Sequence, residues 1–137
     1  MTVALHPQLE KDCYILGTVN SSTLLLHKNA LLPWFILVPD TTHNELFKLD
    51  SSQQNLIQSE INALAEFTQN YFKSDKLNIA TIGNVVPQLH VHIIGRKEND
   101  FCWPSPVWGR TEFLDYDPDI LFKIKQALLD NNLITSV

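Results

Sequence analysis

The apolar residues of this 137-residue chain change their spacing at Asp50, and this change constrains the fold more than any other feature. After Asp50, apolar residues recur every three or four positions as far as Phe72, which predicts one long amphipathic helix. Before Asp50, short runs rich in leucine, β-branched and aromatic residues are separated by turn-forming stretches, a pattern typical of β-strands. These runs are Cys13 to Val19, Thr23 to Lys28 and Trp34 to Val38.

The second half of the chain repeats the change from strand to helix. Leu77 to Arg96 reads as two strands joined by a tight connection, and Pro118 to Asn131 reads as a C-terminal helix. Between them, Asp100 to Asp117 is rich in proline and aromatic residues, which predicts an irregular loop packed by large rings. The sequence therefore predicts a single α+β domain over residues 1–137, with an antiparallel sheet of about five strands, a long central helix and a C-terminal helix.

Composition excludes several classes of partner. The net charge is -5 and the ten basic residues are scattered, which argues against broad nucleic-acid binding. The longest apolar stretch, Ala30 to Val38, is too short to cross a bilayer, and no targeting segment opens the chain. The two cysteines, Cys13 and Cys102, form no metal or disulfide motif. We expect a cytoplasmic protein with neither a nucleic-acid nor a membrane partner.

The segment from Gln88 to Ile94 carries the chemistry. On a strand, side chains alternate, so Gln88, His90 and His92 are expected on one face. If a backbone carbonyl holds the Nδ1–H of a neutral histidine, Nε2 keeps a free lone pair and can act as a nucleophile. Attack on phosphorus would give a phosphoramidate that water then hydrolyses. In this interpretation His90 is the nucleophile and His92 contacts a phosphate oxygen.

A His-x-His pair has other meanings as well. It is also typical of metal ligands, and of two partly exposed residues without a chemical role. A metal site would need a third ligand, such as His27, His43 or a carboxylate. Spacing alone leaves metal binding, a structural role and nucleophilic catalysis open.

The same segment resembles the signature of the histidine triad (HIT) family, His-φ-His-φ-His-φ-φ with φ apolar, except that Gln88 replaces the first histidine. Leu31 to Pro39 resembles the family's strand before the long helix, and Ile82 to Pro87 resembles its approach to the triad. Trp103 to Gly109, together with glutamine at the first position, resembles a bacterial branch often described as diadenosine tetraphosphate hydrolases.

The resemblance implies a HIT-like fold, usually a homodimer in which two sheets join, and a nucleotide as the small-molecule substrate. It implies hydrolysis or transfer at the α-phosphate of a nucleoside polyphosphate or phosphoramidate, through a covalent nucleotidyl-histidine. By position, His90 matches the nucleophile, His92 the phosphate contact and the Gln88 carbonyl the group that orients His90. The triad holds no metal and requires no cofactor, although a divalent cation can accompany the substrate phosphates.

The resemblance and the residues together give further candidate contacts. The Gln88 side chain is expected near the leaving group, where it can donate a hydrogen bond but cannot supply a proton as imidazolium does. The other expected substrate-binding residues are Asn84 near the phosphate, His27 and Asn29 at the ribose, Arg96 at a distal phosphate and Trp103 over the site. An arginine at a strand end, such as Arg96, is more often simply solvated, and packing of the irregular loop explains Trp103 at least as well. Two alternatives remain: a nucleotide-binding dimer with little catalysis, and a His-x-His metalloprotein.

Overall fold

A computed structural model describes residues 3–135 and shows one antiparallel sheet of five strands. The strands are β1 (Cys13–Val19), β2 (Ser22–His27), β3 (Trp34–Val38), β4 (Lys76–Ala80) and β5 (Val91–Arg96). The strand order is β1-β2-β3-β5-β4, so β1 and β4 form the two edges. The predicted α+β class, with a five-stranded antiparallel sheet, is confirmed.

The helices begin and end at residues whose chemistry explains the boundaries. The Asp50 carboxylate accepts a hydrogen bond from the Gln53 N–H at 2.8 Å and caps the long helix, which ends where Lys73 turns left-handed at φ 57°. Asp117 caps the last helix in the same way. The first helix was not predicted, because six residues are too few to show a helical period. The helices are α1 (Pro7–Asp12), α2 (Ser51–Phe72) and α3 (Pro118–Asp130), with a short 3₁₀ turn at Leu46–Lys48. No helix within residues 3–135 is long and apolar enough to span a membrane.

The two faces of the sheet are covered differently. One face packs against α2 through Ile57, Ile61, Leu64 and Phe67 and forms the larger apolar core. We call it the helix face; its strand residues are Leu24, Leu26, Phe35, Leu37, Val91 and Ile93. The opposite face is covered by α1 and by the loop that contains Val107. We call it the site face; its strand residues are Leu25, Trp34, Ile36, His92 and Ile94.

The strand that carries the histidines is shorter than predicted. It begins at Val91 rather than Gln88, and residues 81–90 form an open loop instead of a tight connection. Its pairing with β3 ends at Leu37↔Val91, just before Pro39, which has no N–H to extend the ladder. His90 therefore lies immediately before the strand, while His92 lies within it.

Some positions of the predicted helical stripes are exposed. Leu56 and Tyr71 on α2 are 43% and 41% exposed, and Ile120 on α3 is 52% exposed. Each lies at the margin of the apolar side of its helix, because that side is wider than the part of the helix that contacts the rest of the protein. By contrast, Ile124 and Leu128 are fully buried, as predicted for α3.

Candidate active site

Two cavities meet at His90. The larger cavity, of about 410 Å³, lies on the site face between α1, β2, β3 and the 81–90 loop. Its polar lining includes His27, Asn84, His90 and His92, and its apolar lining includes Leu9, Ile36, Val86 and Trp108. The polar cavity, of about 300 Å³, is lined by Asn44, Glu45, Thr81 and Gln88, and it shares Asn84 and His90 with the larger one. Both volumes are at the scale of small-molecule sites.

The His90 ring is held by the backbone just before it. Its Nδ1 lies 2.6 Å from the carbonyl oxygen of Gln88. Because a carbonyl oxygen only accepts hydrogen bonds, Nδ1 must carry the hydrogen, and Nε2 keeps its lone pair. This is the contact that the family resemblance implies for a nucleophilic histidine.

The His92 ring is held in the opposite tautomer. The indole Nε1–H of Trp34 donates a hydrogen bond to Nδ1 of His92 at 2.9 Å. Since an indole N–H only donates, Nδ1 of His92 carries the lone pair and Nε2 carries the hydrogen. Burial, together with the neighbouring His90 and His27, lowers the pKa of His92 to about 3. His92 is therefore a neutral hydrogen-bond donor 4.9 Å from His90 between ring centroids.

An aromatic cluster fixes the orientation of His92. The His27 ring stacks on Trp34 with centroids 4.1 Å apart and an interplanar angle of 10°. The edge of Trp108 meets both Trp34 and His92, at 6.0 Å and 5.1 Å between centroids. His27 lines the cavity; burial lowers its pKa, while Asp12 opposes that shift.

Sequence reasoning missed Trp34 and selected Trp103 instead of Trp108. The missed signal was register: Trp34 alternates with Ile36 along β3, and Ile36 pairs directly with His92. Trp34 and His92 are therefore diagonal neighbours on one face. Asn84 also lines the cavity, but Trp103 does not.

The structure places Arg96 away from both cavities. Its side chain is 2% exposed, and its Nε and Nη2 donate to the Asp100 carboxylate at 2.8 Å and 3.0 Å. Nη1 donates to Asn78, and the guanidinium carbon lies 5.6 Å from the Trp103 ring centroid. Burial opposes ionisation of Asp100, but hydrogen bonds from Arg96 and from backbone N–H groups lower its pKa to about 2. Arg96 and Trp103 thus anchor the loop after β5, and the expected phosphate contact of Arg96 has no geometric support.

Asn29 is also held inside the protein. Its Oδ1 accepts hydrogen bonds from the N–H groups of Leu31 and Leu114, both at 3.2 Å, and its Nδ2 donates to the Glu112 carbonyl at 3.0 Å. The side chain fastens residues 112–114 to the end of β2. It does not line the larger cavity, where a ribose contact was expected.

The Gln88 side chain is bonded to the N-terminal segment. Its Oε1 accepts a hydrogen bond from the His6 N–H, and its Nε2 donates to the Ala4 carbonyl. The expected contact with a leaving group therefore competes with two existing hydrogen bonds. Within residues 3–135, no three His, Cys, Asp or Glu side chains lie close enough together to hold a metal ion, so the metalloprotein alternative gains no support.

Fold and site together define a class of protein: an α+β domain that buries two histidines of opposite tautomer beside a cavity of small-molecule size. The family profile described as HIT domain matches residues 8–99. The chain belongs to the histidine triad (HIT) family, whose members bind small nucleotide substrates and are generally nucleotide hydrolases or transferases.

Solved structures of bacterial histidine triad proteins are similar over nearly the whole chain. The chain is 40% identical to one from Bradyrhizobium japonicum, with a TM-score of 0.89 and coverage of 93% of this chain and 96% of that one. It is 33% identical to one from Sinorhizobium meliloti, with a TM-score of 0.90 and coverages of 95% and 97%. It is 36% identical to one from Marinobacter aquaeolei, with a TM-score of 0.88 and coverages of 96% and 95%. None of the curated proteins compared with the chain matches it significantly.

Proposed function

We propose that this protein hydrolyses or transfers a nucleotidyl group at the α-phosphate of a nucleoside polyphosphate or phosphoramidate, with His90 as the nucleophile. The observation that carries the proposal is the pair of opposite tautomers. The Gln88 carbonyl leaves Nε2 of His90 with a lone pair, and Trp34 leaves Nε2 of His92 with a hydrogen. One ring can attack, and the other can bind the oxygen that becomes more negative during attack.

The reaction proceeds in two displacements. Nε2 of His90 bonds to phosphorus while the bond from phosphorus to the leaving group breaks. The leaving group departs with the electron pair, and an amine leaving group takes up a proton from solvent. The ring now carries a positive charge, which its Nδ1–H shares with the Gln88 carbonyl. Water, or another acceptor, then attacks phosphorus, releases its proton to solvent and displaces Nε2, which restores the neutral histidine.

The charges around His90 favour a substrate with few phosphates. None of the described residues that line the two cavities is a lysine or arginine, whereas Asp12 and Glu45 are acidic. A phosphoramidate brings one charged phosphate to this site. A polyphosphate brings several negative charges and would need a divalent cation as its counterion.

The protein is further proposed to act as a homodimer in the cytoplasm. Strand β4 is an edge of the sheet, and Ile79 on it is 46% exposed, so a second copy can pair there and join the two sheets. Both cysteines are free and buried, which suits a reducing compartment. Sedimentation of the purified protein at micromolar concentration tests the dimer, and a monomer at all concentrations would contradict it.

The catalytic proposal is tested with a panel of adenosine and guanosine phosphoramidates and dinucleoside polyphosphates. We expect His90→Ala to lower turnover at least about 10³-fold, because the covalent route is lost. His43→Ala is the matched control, since His43 is exposed and lines neither cavity. Wild-type protein quenched in denaturant at alkaline pH, where the bond between phosphorus and Nε2 survives, should carry one nucleotidyl group by intact mass. Undiminished turnover of His90→Ala would show that the mechanism is wrong.

A second candidate function is nucleotide binding with little catalysis. It is favoured by the two hydrogen bonds that hold the Gln88 side chain, because this side chain replaces the histidine that relatives place near the leaving group. Calorimetry would then show nucleotide binding by the wild-type protein while prolonged incubation yields no product.

A further inference from the structure

The Gln88 side chain imitates one residue of a parallel β-ladder. Its Nε2 donates to the Ala4 carbonyl at 3.1 Å, and its Oε1 accepts from the His6 N–H at 2.8 Å. In a parallel ladder, one residue likewise donates to the carbonyl before its partner and accepts from the N–H after it. The pattern also fixes the amide orientation, because a flipped amide would set N–H against N–H.

A histidine at this position could not make the same pair of bonds. The carboxamide presents a donor and an acceptor side by side on one carbon, whereas the two ring nitrogens of imidazole point in different directions. Gln88, which departs from the family signature, therefore makes a pair of backbone hydrogen bonds that a histidine there could not make. That contact joins residues 84 and 82 positions apart in sequence.

The segment that Gln88 holds leads directly into a wall of the larger cavity. His6 caps α1, with its Nδ1 accepting from the Gln8 N–H at 3.0 Å. The α1 side chains that line the cavity are Gln8, Leu9 and Asp12, and Leu9 is buried. On the other side of the segment, the Val3 N–H donates to the Asp40 carboxylate at 3.1 Å. The segment therefore has hydrogen bonds to the loop before β5, through Gln88, and to the residues after β3, through Asp40.

We propose that Gln88 is a positioning residue that fastens residues 4–6 and so keeps α1 against the cavity. Its effect is on affinity for the bound nucleotide, and it transfers no proton to the leaving group. The inference rests on the proposed function for its kinetic consequence. The structural part, the fastening of the segment, stands independently of turnover.

The fastening is tested by amide hydrogen exchange at His6. In Gln88→Ala the His6 amide should exchange at least about tenfold faster, because it loses its acceptor. The matched control is Gln54→Ala, which removes another glutamine with a side-chain bond to a backbone carbonyl, that of Leu49, far from the cavity. Unchanged exchange at His6 in Gln88→Ala overturns the proposal, whether or not the protein is an enzyme.

The effect on the site is tested by steady-state kinetics of the full chain. Gln88→Ala should raise KM about 5- to 10-fold, as expected for two lost hydrogen bonds, and change kcat less than about twofold. A drop in kcat with unchanged KM would instead show that Gln88 acts on the leaving group, and would overturn the proposal.

A pair of substitutions at His6 distinguishes an effect of the N-terminal segment on KM from a direct effect of the Gln88 side chain. His6 has φ -57° and ψ 135°, which proline adopts without strain, so His6→Pro removes the N–H while the backbone path is kept. His6→Ala is the control, since it loses the same cap but retains the N–H. We expect His6→Pro to raise KM beyond His6→Ala, and Gln88→Ala to add less than about twofold in the His6→Pro background. Full additivity would contradict the proposal.

The positioning role of Gln88 can still be tested if the catalytic proposal fails. In that case the wild-type protein shows no turnover, and the dissociation constant for AMP, measured by calorimetry, replaces KM. Faster exchange at His6 with weaker AMP binding in Gln88→Ala supports the positioning role without catalysis. Faster exchange with unchanged AMP binding overturns it.

Discussion

The two faces of the sheet are built from the same strands but by different physical means. The helix face is continuous apolar packing against α2, with residues such as Phe35, Leu64 and Ile93 fully buried. The site face buries His90, His92 and Arg96 beside its own apolar residues, and each of these three side chains has a hydrogen-bond partner. Alternation along each strand separates the two sets.

The contrast shows how a small domain can bury polar groups beside a cavity. Apolar packing tolerates changes of similar volume, whereas a buried polar group is stable only with a specific partner in a specific orientation. The helix face therefore contributes to stability through apolar side chains whose total volume fills the core. On the site face, hydrogen-bond partners determine the orientation and the tautomer of the two histidine rings. This is the face on which single substitutions should alter chemistry.

The largest effect should come from breaking the buried ion pair on the site face. Arg96→Met leaves Asp100 without its partner and should lower the free energy of unfolding by about 3–5 kcal/mol. Arg110→Met removes a pair in which both side chains are largely exposed, and it should change stability little. Chemical denaturation measures both. Equal effects would show that burial does not distinguish the two pairs.

On the helix face, Leu64→Ala should cost about 2–5 kcal/mol, because Leu64 is fully buried against the sheet. Ile120→Ala is the control; Ile120 is half exposed, so the cost should stay within about 0.5 kcal/mol. Below the unfolding temperature, kcat of Leu64→Ala should equal that of the wild type. A large loss of kcat would mean that the two faces are not independent.

Acid should weaken the site face before the helix face. The pKa of His92 falls from 6.5 to about 3 on folding, so the unfolded chain binds the proton more readily. The free energy of unfolding is therefore unaffected by this group above pH 6.5 and falls as the pH drops below that value. The loss between pH 7 and pH 5 should amount to up to about 2 kcal/mol. Denaturation of the wild type and of His92→Asn at both pH values measures it. The same pH dependence in both proteins would contradict the assignment.

The smallest effect should come from the ring that orients His92. Trp34→Phe keeps an aromatic ring against His27 but removes the donor to His92, and it should lower kcat about tenfold, or about 1.4 kcal/mol. Nitrogen chemical shifts of the His92 ring should show loss of the single Nε2–H tautomer. Trp103→Phe, away from the cavity, should leave both unchanged. An unaltered His92 tautomer in Trp34→Phe would show that another group fixes it.

The sequence by itself determined the elements and the face of the sheet that carries the two histidines. Apolar periods of two and of three to four are local, so the strands β1 and β3 and the helices α2 and α3 lie where the pattern predicted them. The same alternation placed His90 and His92 together. The family signature predicted the family, which the comparisons confirm, because it is a contiguous stretch of sequence.

Only the tertiary structure decided what each polar side chain binds. The Trp34 donor to His92, the Asp100 and Asn78 partners of Arg96 and the hold of Gln88 on residues 4–6 all depend on how strands and loops meet in space. No local period encodes a hydrogen bond between residues 58 or 82 positions apart. The tautomers of the two histidines follow from such contacts, and they distinguish the ring that can attack from the ring that can donate.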